Sequence, residues 1–177
     1  MSDLYDRITR ERGSIENMLA RIPGFRGYLD REARRDADRM LRNFIASELD
    51  RRIDRFARIE RKLLDNNGLS YMSRTAATKT RLQTYRDRVS AAAPGYSGFT
   101  SALKVGEQEL ELLYAFDEAQ IRYVDRLDAG LETFESAVTS KDGIEAALEG
   151  IDALVVEADE AFRLRDDVIT NIDQSLR

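Results

Sequence analysis

The chain has 177 residues, 34% charged and 42% apolar, with a net charge of −5. It contains no His, Cys or Trp and only two Pro. These absences exclude a disulfide framework, Cys- or His-ligated metal and haem sites, a thiol nucleophile, an imidazole general base and the Glu-x-x-His pairs of di-iron bundles.

Apolar spacing divides the chain into helices. Over residues 2–21, Leu4, Ile8, Ile15, Met18 and then Ile22 mark a short amphipathic helix, with Glu11 in a skipped place and Pro23-Gly24 as its stop. A second helix is expected over 28–65. Leu41, Ile45, Leu49, Ile53, Phe56 and Leu63 form its stripe, supported by Met40, Phe44 and Ile59, and Asn66-Asn67-Gly68 ends it. A third, over 73–92, has a partly polar seam of Thr78, Leu82, Tyr85 and Val89 and stops at Pro94-Gly95. A fourth, over 101–139, carries Val124, Leu127, Leu131, Phe134 and Val138. After the short break Ser140-Lys141-Asp142-Gly143, a fifth runs nearly to Arg177.

The fifth helix is the most regular. Ile144, Leu148, Ile151, Val155, Ala158, Phe162, Arg165, Ile169, Ile172 and Leu176 alternate steps of four and three, a heptad seam with one polar member, Arg165. A lone polar residue in such a seam fixes register or partner at a cost in stability. The competing reading has Arg165 snorkelling outward beside the seam. No strand-like alternation is long enough to count. The expected fold is all-α: a single domain, 1–177, forming an elongated antiparallel bundle of about five helices, three long and two short, with coiled-coil-like packing.

The charge is split along the chain. Residues 1–100 carry 21 basic and 14 acidic side chains, a balance of +7; residues 101–177 carry 7 and 19, a balance of −12. Arg31, Arg35, Arg39 and Arg42 form one row on the second helix, and Arg51, Arg55, Arg58 and Lys62 another. Such rows suit phosphates of lipid or nucleic acid. Interleaved acids oppose that use, and Asp38→Arg42 and Asp54→Arg58 have the spacing of self-neutralising i,i+4 pairs. Glu107, Glu109, Glu111, Asp117 and Glu118 open the fourth helix, where acids suit the helix dipole; a carboxylate-only cation site there lacks any supporting loop motif.

Both prolines open the same pattern. Pro23-Gly24-Phe25-Arg26-Gly27-Tyr28 and Pro94-Gly95-Tyr96-Ser97-Gly98-Phe99 each read P-G-aromatic-x-G-aromatic. Their aromatics, Phe25, Tyr28, Tyr96 and Phe99, either fold back as caps on the bundle or form a sticky tip for a partner or a membrane interface.

The segment Ile22-Pro23-Gly24-Phe25-Arg26-Gly27-Tyr28, followed by Arg31-Glu32-Ala33-Arg34-Arg35-Asp36-Ala37-Asp38-Arg39, resembles one found in uncharacterised bacterial all-helical proteins. Those proteins have an I-P-G-aromatic-x-G-Tyr turn and then a basic helix. The resemblance covers about 20 of the 177 residues. It implies no activity and no site residues, only that the turn and the start of the second helix work as one unit.

The function expected is that of a non-enzymatic helical interaction or scaffold protein. It would associate through helix faces with another protein or with itself. The candidate interaction residues are Phe25, Arg26, Tyr28, Arg31, Arg35, Arg39, Arg42, Tyr96, Phe99 and Arg165. The alternative is a peripheral coiled-coil protein that binds anionic lipid through the Arg rows and aromatic turns. No cofactor, metal, small-molecule substrate or nucleic acid partner is expected. No apolar run approaches the roughly 20 residues needed to span a bilayer. The first residues lack a secretory signal pattern. The expected location is therefore the cytoplasm, or the inner face of the membrane as a peripheral protein.

Overall fold

A computed structural model describes residues 3–11, 15–30, 33–91 and 106–175. Among them are six α-helices: α1 (Asp3–Arg10), α2 (Ile15–Arg21), α3 (Arg34–Asp65), α4 (Met72–Ala91), α5 (Glu107–Ser140) and α6 (Ile144–Ser175). A 3-10 turn, Leu69–Tyr71, leads into α4. The described residues contain no strand, and the fold is all-α. No helix among them is long and apolar enough to cross a membrane.

Three boundaries differ from the sequence expectation, one of them the start of α5, at Glu107 with Gly106 outside the helix rather than at residue 101. The single first helix is two helices, and the intervening sequence contains Gly13, a poor helix former. The second helix starts at Arg34 rather than at Tyr28. Tyr28, Leu29 and Asp30 form a bend, because Tyr28 turns its side chain and its backbone N–H and C=O to tertiary partners instead.

The helix ends follow from local chemistry. Asn67 takes a left-handed φ of 64° after α3. The amide of Gly68 donates to Leu63 O at 2.8 Å and that of Asn67 to Leu64 O at 3.0 Å, so two orphan carbonyls are satisfied by a Schellman cap. Lys141, with φ 60°, ends α5 in a similar way, the Asp142 amide donating to Ala137 O at 3.1 Å.

The chain forms two compact units. The first comprises 1–44, 91–121 and 160–177; the second comprises 45–90 and 122–159. The long helices α3, α5 and α6 contribute to both.

The second unit is a four-helix bundle. Contacts of Arg86 with Asp50 and of Lys79 with Glu60 set α3 antiparallel to α4. Arg126 meeting Glu157 while Gly130 lies against Ile151 sets α5 antiparallel to α6. Arg55 lies near Asp128, and both Arg55 and Lys62 reach Glu135, so α3 and α5 are parallel neighbours. Arg81 with Asp152 and Arg88 with Asp159 make α4 and α6 parallel neighbours. The expected stripes line the core: Leu49, Phe56 and Leu63 with the supporting Ile59, while Ile53 is only half-buried; Leu82, Tyr85 and Val89; Val124, Leu127, Leu131, Phe134 and Val138; Leu148, Ile151, Val155 and Ala158. Phe56 stacks on Phe134 with ring centroids 5.3 Å apart.

The first unit packs α1, α2 and the turn after α2 against the near ends of α3, α5 and α6. Leu4, Ile8, Met18, Ile22 and Phe25 are buried there with Leu41, Leu113, Phe116, Phe162 and Ile169. Isolated helices of seven or eight residues are marginal, so α1 and α2 owe their order to this packing.

Candidate functional site

The first unit is organised around a buried charge cluster. All eight seam positions of α6 whose side chains are described, Ile144 to Ile169, are buried, and Arg165 is among them with no exposed surface. Its Nε donates to Asp117 Oδ1 at 2.5 Å and its Nη2 to Asp38 Oδ1 at 2.6 Å. The Tyr28 hydroxyl donates to the other Asp117 oxygen at 2.6 Å and lies 3.3 Å from Arg165 Nη2. Arg42 Nε donates to Asp38 Oδ2 at 2.9 Å. Two carboxylates therefore face two guanidinium groups, and both oxygens of each carboxylate accept a hydrogen bond.

Electrostatics follow from that geometry. Burial opposes the charge on Arg165, but Asp117 and Asp38 outweigh it and hold the guanidinium firmly protonated. Burial also pushes Asp38 up, and Arg165 and Arg42 together bring it below the ordinary carboxylate range. Asp117 is deeper and has one guanidinium partner, so burial prevails and its pKa is raised despite Arg165 and Tyr28. Burial, and then the charge on Asp117, push the Tyr28 phenol well above its usual value.

The turn after α2 is shaped to deliver Tyr28. Gly24 and Gly27 have φ of 79° and 77°. A Cβ on Gly27 would sit 2.3 Å from the Tyr114 hydroxyl, so glycine is required there twice over, by backbone and by space. That closeness lets the Tyr114 hydroxyl accept the Tyr28 amide proton at 2.6 Å. The Tyr28 carbonyl accepts from Arg34 Nε at 2.7 Å.

Several sequence expectations are corrected here. Arg165 does not snorkel outward; two carboxylates compensate its charge inside. Phe25 and Tyr28 do not form an exposed tip, because both are buried and pack edge to face at 5.7 Å. Arg42 leaves the basic row and turns inward to Asp38. Phe25, Tyr28, Arg42 and Arg165 are thus interior residues rather than a surface for a partner. Arg26, Arg35 and Arg39 are exposed, and Arg39 pairs with Asp36. Arg31, Tyr96 and Phe99 lie outside the described residues, as does the whole second P-G-aromatic pattern.

In the second unit the charge split is met within the chain. Arg52, Arg55 and Lys62 of the basic half face Asp128 and Glu135 of the acidic half. On the other side Arg74, Arg81 and Arg88, seven residues apart, face Glu145, Asp152 and Asp159, also seven apart. Arg51 pairs with Glu48 on its own helix.

The outer side of α5 and α6 in this unit carries a shallow groove of about 400 Å³. Ala129, Gly130 and Thr133 line one wall and Ala146, Gly150 and Ala153 the other. A Cβ on Gly150 would meet nothing within 4 Å beyond its own helix backbone, and one on Gly130 would reach Ile151 at an ordinary 3.4 Å. Val156, on an adjacent row of α6, is 58% exposed. No family model, curated protein or solved structure matches the chain.

Asp117 and Tyr114 are the residues that sequence reasoning missed. Asp117 sits among the acids near the start of α5, but it is fully buried and belongs to the Arg165 cluster. Its one sequence signal is position: it lies seven residues before Val124, on the buried seam of α5 rather than on the solvated face.

Proposed function

We propose that the protein is a non-enzymatic helical interaction protein and that the α5–α6 face of the second unit receives a partner helix. The observation that carries this reading is the pair of mid-helix glycines in an open groove. Glycine in a helix interior costs about 1 kcal/mol relative to alanine, and Gly150 gains no intrachain packing in return. Small side chains on two adjacent helices leave room for the backbone of a third to approach closely. Leu154, which also lines the groove, adds apolar surface. The buried charge cluster fits the same reading as a device that fixes one packing arrangement of the first unit.

A photo-crosslinking residue at position 150 in the full chain, expressed in its native cell, tests this. The expected result is a discrete adduct, with the protein itself or with another chain, that a Gly150→Leu variant fails to form when the crosslinker is moved to position 146. Sedimentation across a concentration series distinguishes self-association from a foreign partner. A monomer that gives no discrete adduct would remove the reading.

A second reading, attachment to an anionic membrane surface, is favoured by Leu29, 78% exposed in the turn that also carries the exposed Arg26. Co-pelleting with anionic vesicles that is lost in Leu29→Ser with Arg26→Ser would support it. No pelleting at low salt would end it.

A further inference from the structure

We propose that α4 is a releasable helix, held on its bundle by a thin apolar seam and a set of ion pairs, so that salt or a competing charge loosens it while α3, α5 and α6 stay packed. The proposal does not depend on what the protein binds. Helix α4 carries five cations and one acid, Asp87. All five cations face carboxylates on α3 or α6. Arg74 Nη2 lies 3.0 Å and Arg81 Nη1 2.6 Å from Asp152 Oδ2. Arg88 Nε lies 2.6 Å from Asp159, Lys79 Nζ 2.5 Å from Glu60 and Arg86 Nε 2.8 Å from Asp50.

The apolar hold is thin for a helix of this length. Only Leu82, Tyr85 and Val89 are large buried apolar residues among its 20 positions; the other buried seam members are Thr75 and Thr78. Thr75 donates to Glu60 at 2.7 Å. The Thr78 hydroxyl is buried with no hydrogen-bond partner, a direct penalty on docking. In α5, by contrast, Val124, Leu127, Leu131, Phe134 and Val138 are all buried. The cations of α4 remain partly in solvent, with side-chain exposures of 30–47%. Salt reaches these pairs through their solvent-facing cations, and screens them less than it would fully exposed pairs. Screening therefore weakens part of the attachment of α4 and leaves the apolar contacts of α3, α5 and α6 intact.

Hydrogen exchange on the intact protein tests this, comparing amides of α4 with those of α5 at residues 122–140. Raising NaCl from about 50 mM to about 1 M should speed α4 exchange roughly tenfold relative to α5. Asp152→Asn, which removes the carboxylate shared by Arg74 and Arg81, should raise α4 exchange at low salt and flatten its salt response. Thr78→Val, which removes the unpartnered hydroxyl, should slow α4 exchange at every salt concentration. The proposal is overturned if α4 and α5 exchange at one common rate, or if α4 exchange is indifferent to salt. A salt response in Asp152→Asn as steep as in the parent would also overturn it.

Discussion

Arg165 Nε and Asp117 Oδ1 lie 2.5 Å apart with no exposed surface on either side chain. A salt bridge so placed is held by the cost of breaking it more than by the gain of forming it. Desolvating both ions consumes most of their attraction, whereas removing one leaves the other buried and uncompensated. Arg165→Met should therefore destabilise the protein by about 3–5 kcal/mol in chemical denaturation. Adding Asp117→Asn to the same chain, which removes the carboxylate left unpaired while Asp38 keeps Arg42, should recover more than half of that loss. If Arg165→Met alone is neutral, the cluster does not hold the first unit together.

Tyr28 is tied to the same carboxylate. Tyr28→Phe removes the donor to Asp117 Oδ2, and the expected cost is about 1–3 kcal/mol for leaving a buried acceptor unmatched.

The phenol also predicts an alkaline response. Burial and the neighbouring Asp117 raise the folded pKa of Tyr28 well above the unfolded value, and burial raises Tyr85 in the second unit likewise. A raised phenol contributes stability that is complete below its unfolded value of about 10 and is lost as pH climbs above it. Phenolate absorbance should thus rise in two stages. The last phenolates, those of Tyr28 and Tyr85, should form only as helical circular dichroism collapses. In Tyr28→Phe the second stage should shrink by one tyrosine.

On the acid side Asp38 has the opposite sign. Burial works against its ionised form, but Arg165 and Arg42 outweigh it and depress the folded pKa below the unfolded value. Its contribution is present above about pH 3.9 and is lost as pH falls from there through the lower folded value. Carboxyl carbon NMR should show Asp117, raised by burial, taking its proton at higher pH than Asp38. The reverse order would contradict the arrangement of partners described above.

Two glycines should respond in opposite directions to alanine. At Gly150 a Cβ meets nothing and the backbone is helical, so Gly150→Ala should stabilise by about 0.5–1 kcal/mol. At Gly27 the φ of 77° and the Tyr114 hydroxyl 2.3 Å from the new Cβ make the same change destabilising. Thermal melts of the two variants side by side check both signs.

Apolar periodicity was enough to find α3 to α6 and most of their buried faces, though not where α3 and α5 begin. Every described member of the α5 and α6 seams is buried, and α4 carries the polar seam its sequence indicates. The Asp38–Arg42 pair was legible because helix geometry alone brings i and i+4 together. The groove was harder to read, since Gly130 and Gly150 look like ordinary helix interruptions until the space around them is known.

What the sequence by itself determined is whatever depends on local geometry: the helical period, the stops at Asn66-Asn67-Gly68 and Ser140-Lys141-Asp142-Gly143, and the Asp38–Arg42 pair. What only the tertiary structure decided is the fate of each charge. Arg165 meets Asp117 across 48 residues and Asp38 across 127, and Arg88 meets Asp159 across 71. A charged side chain is equally legible as solvated or buried until its partner arrives. The partner is chosen by which helices become neighbours, a property of the whole chain rather than of any stretch of it.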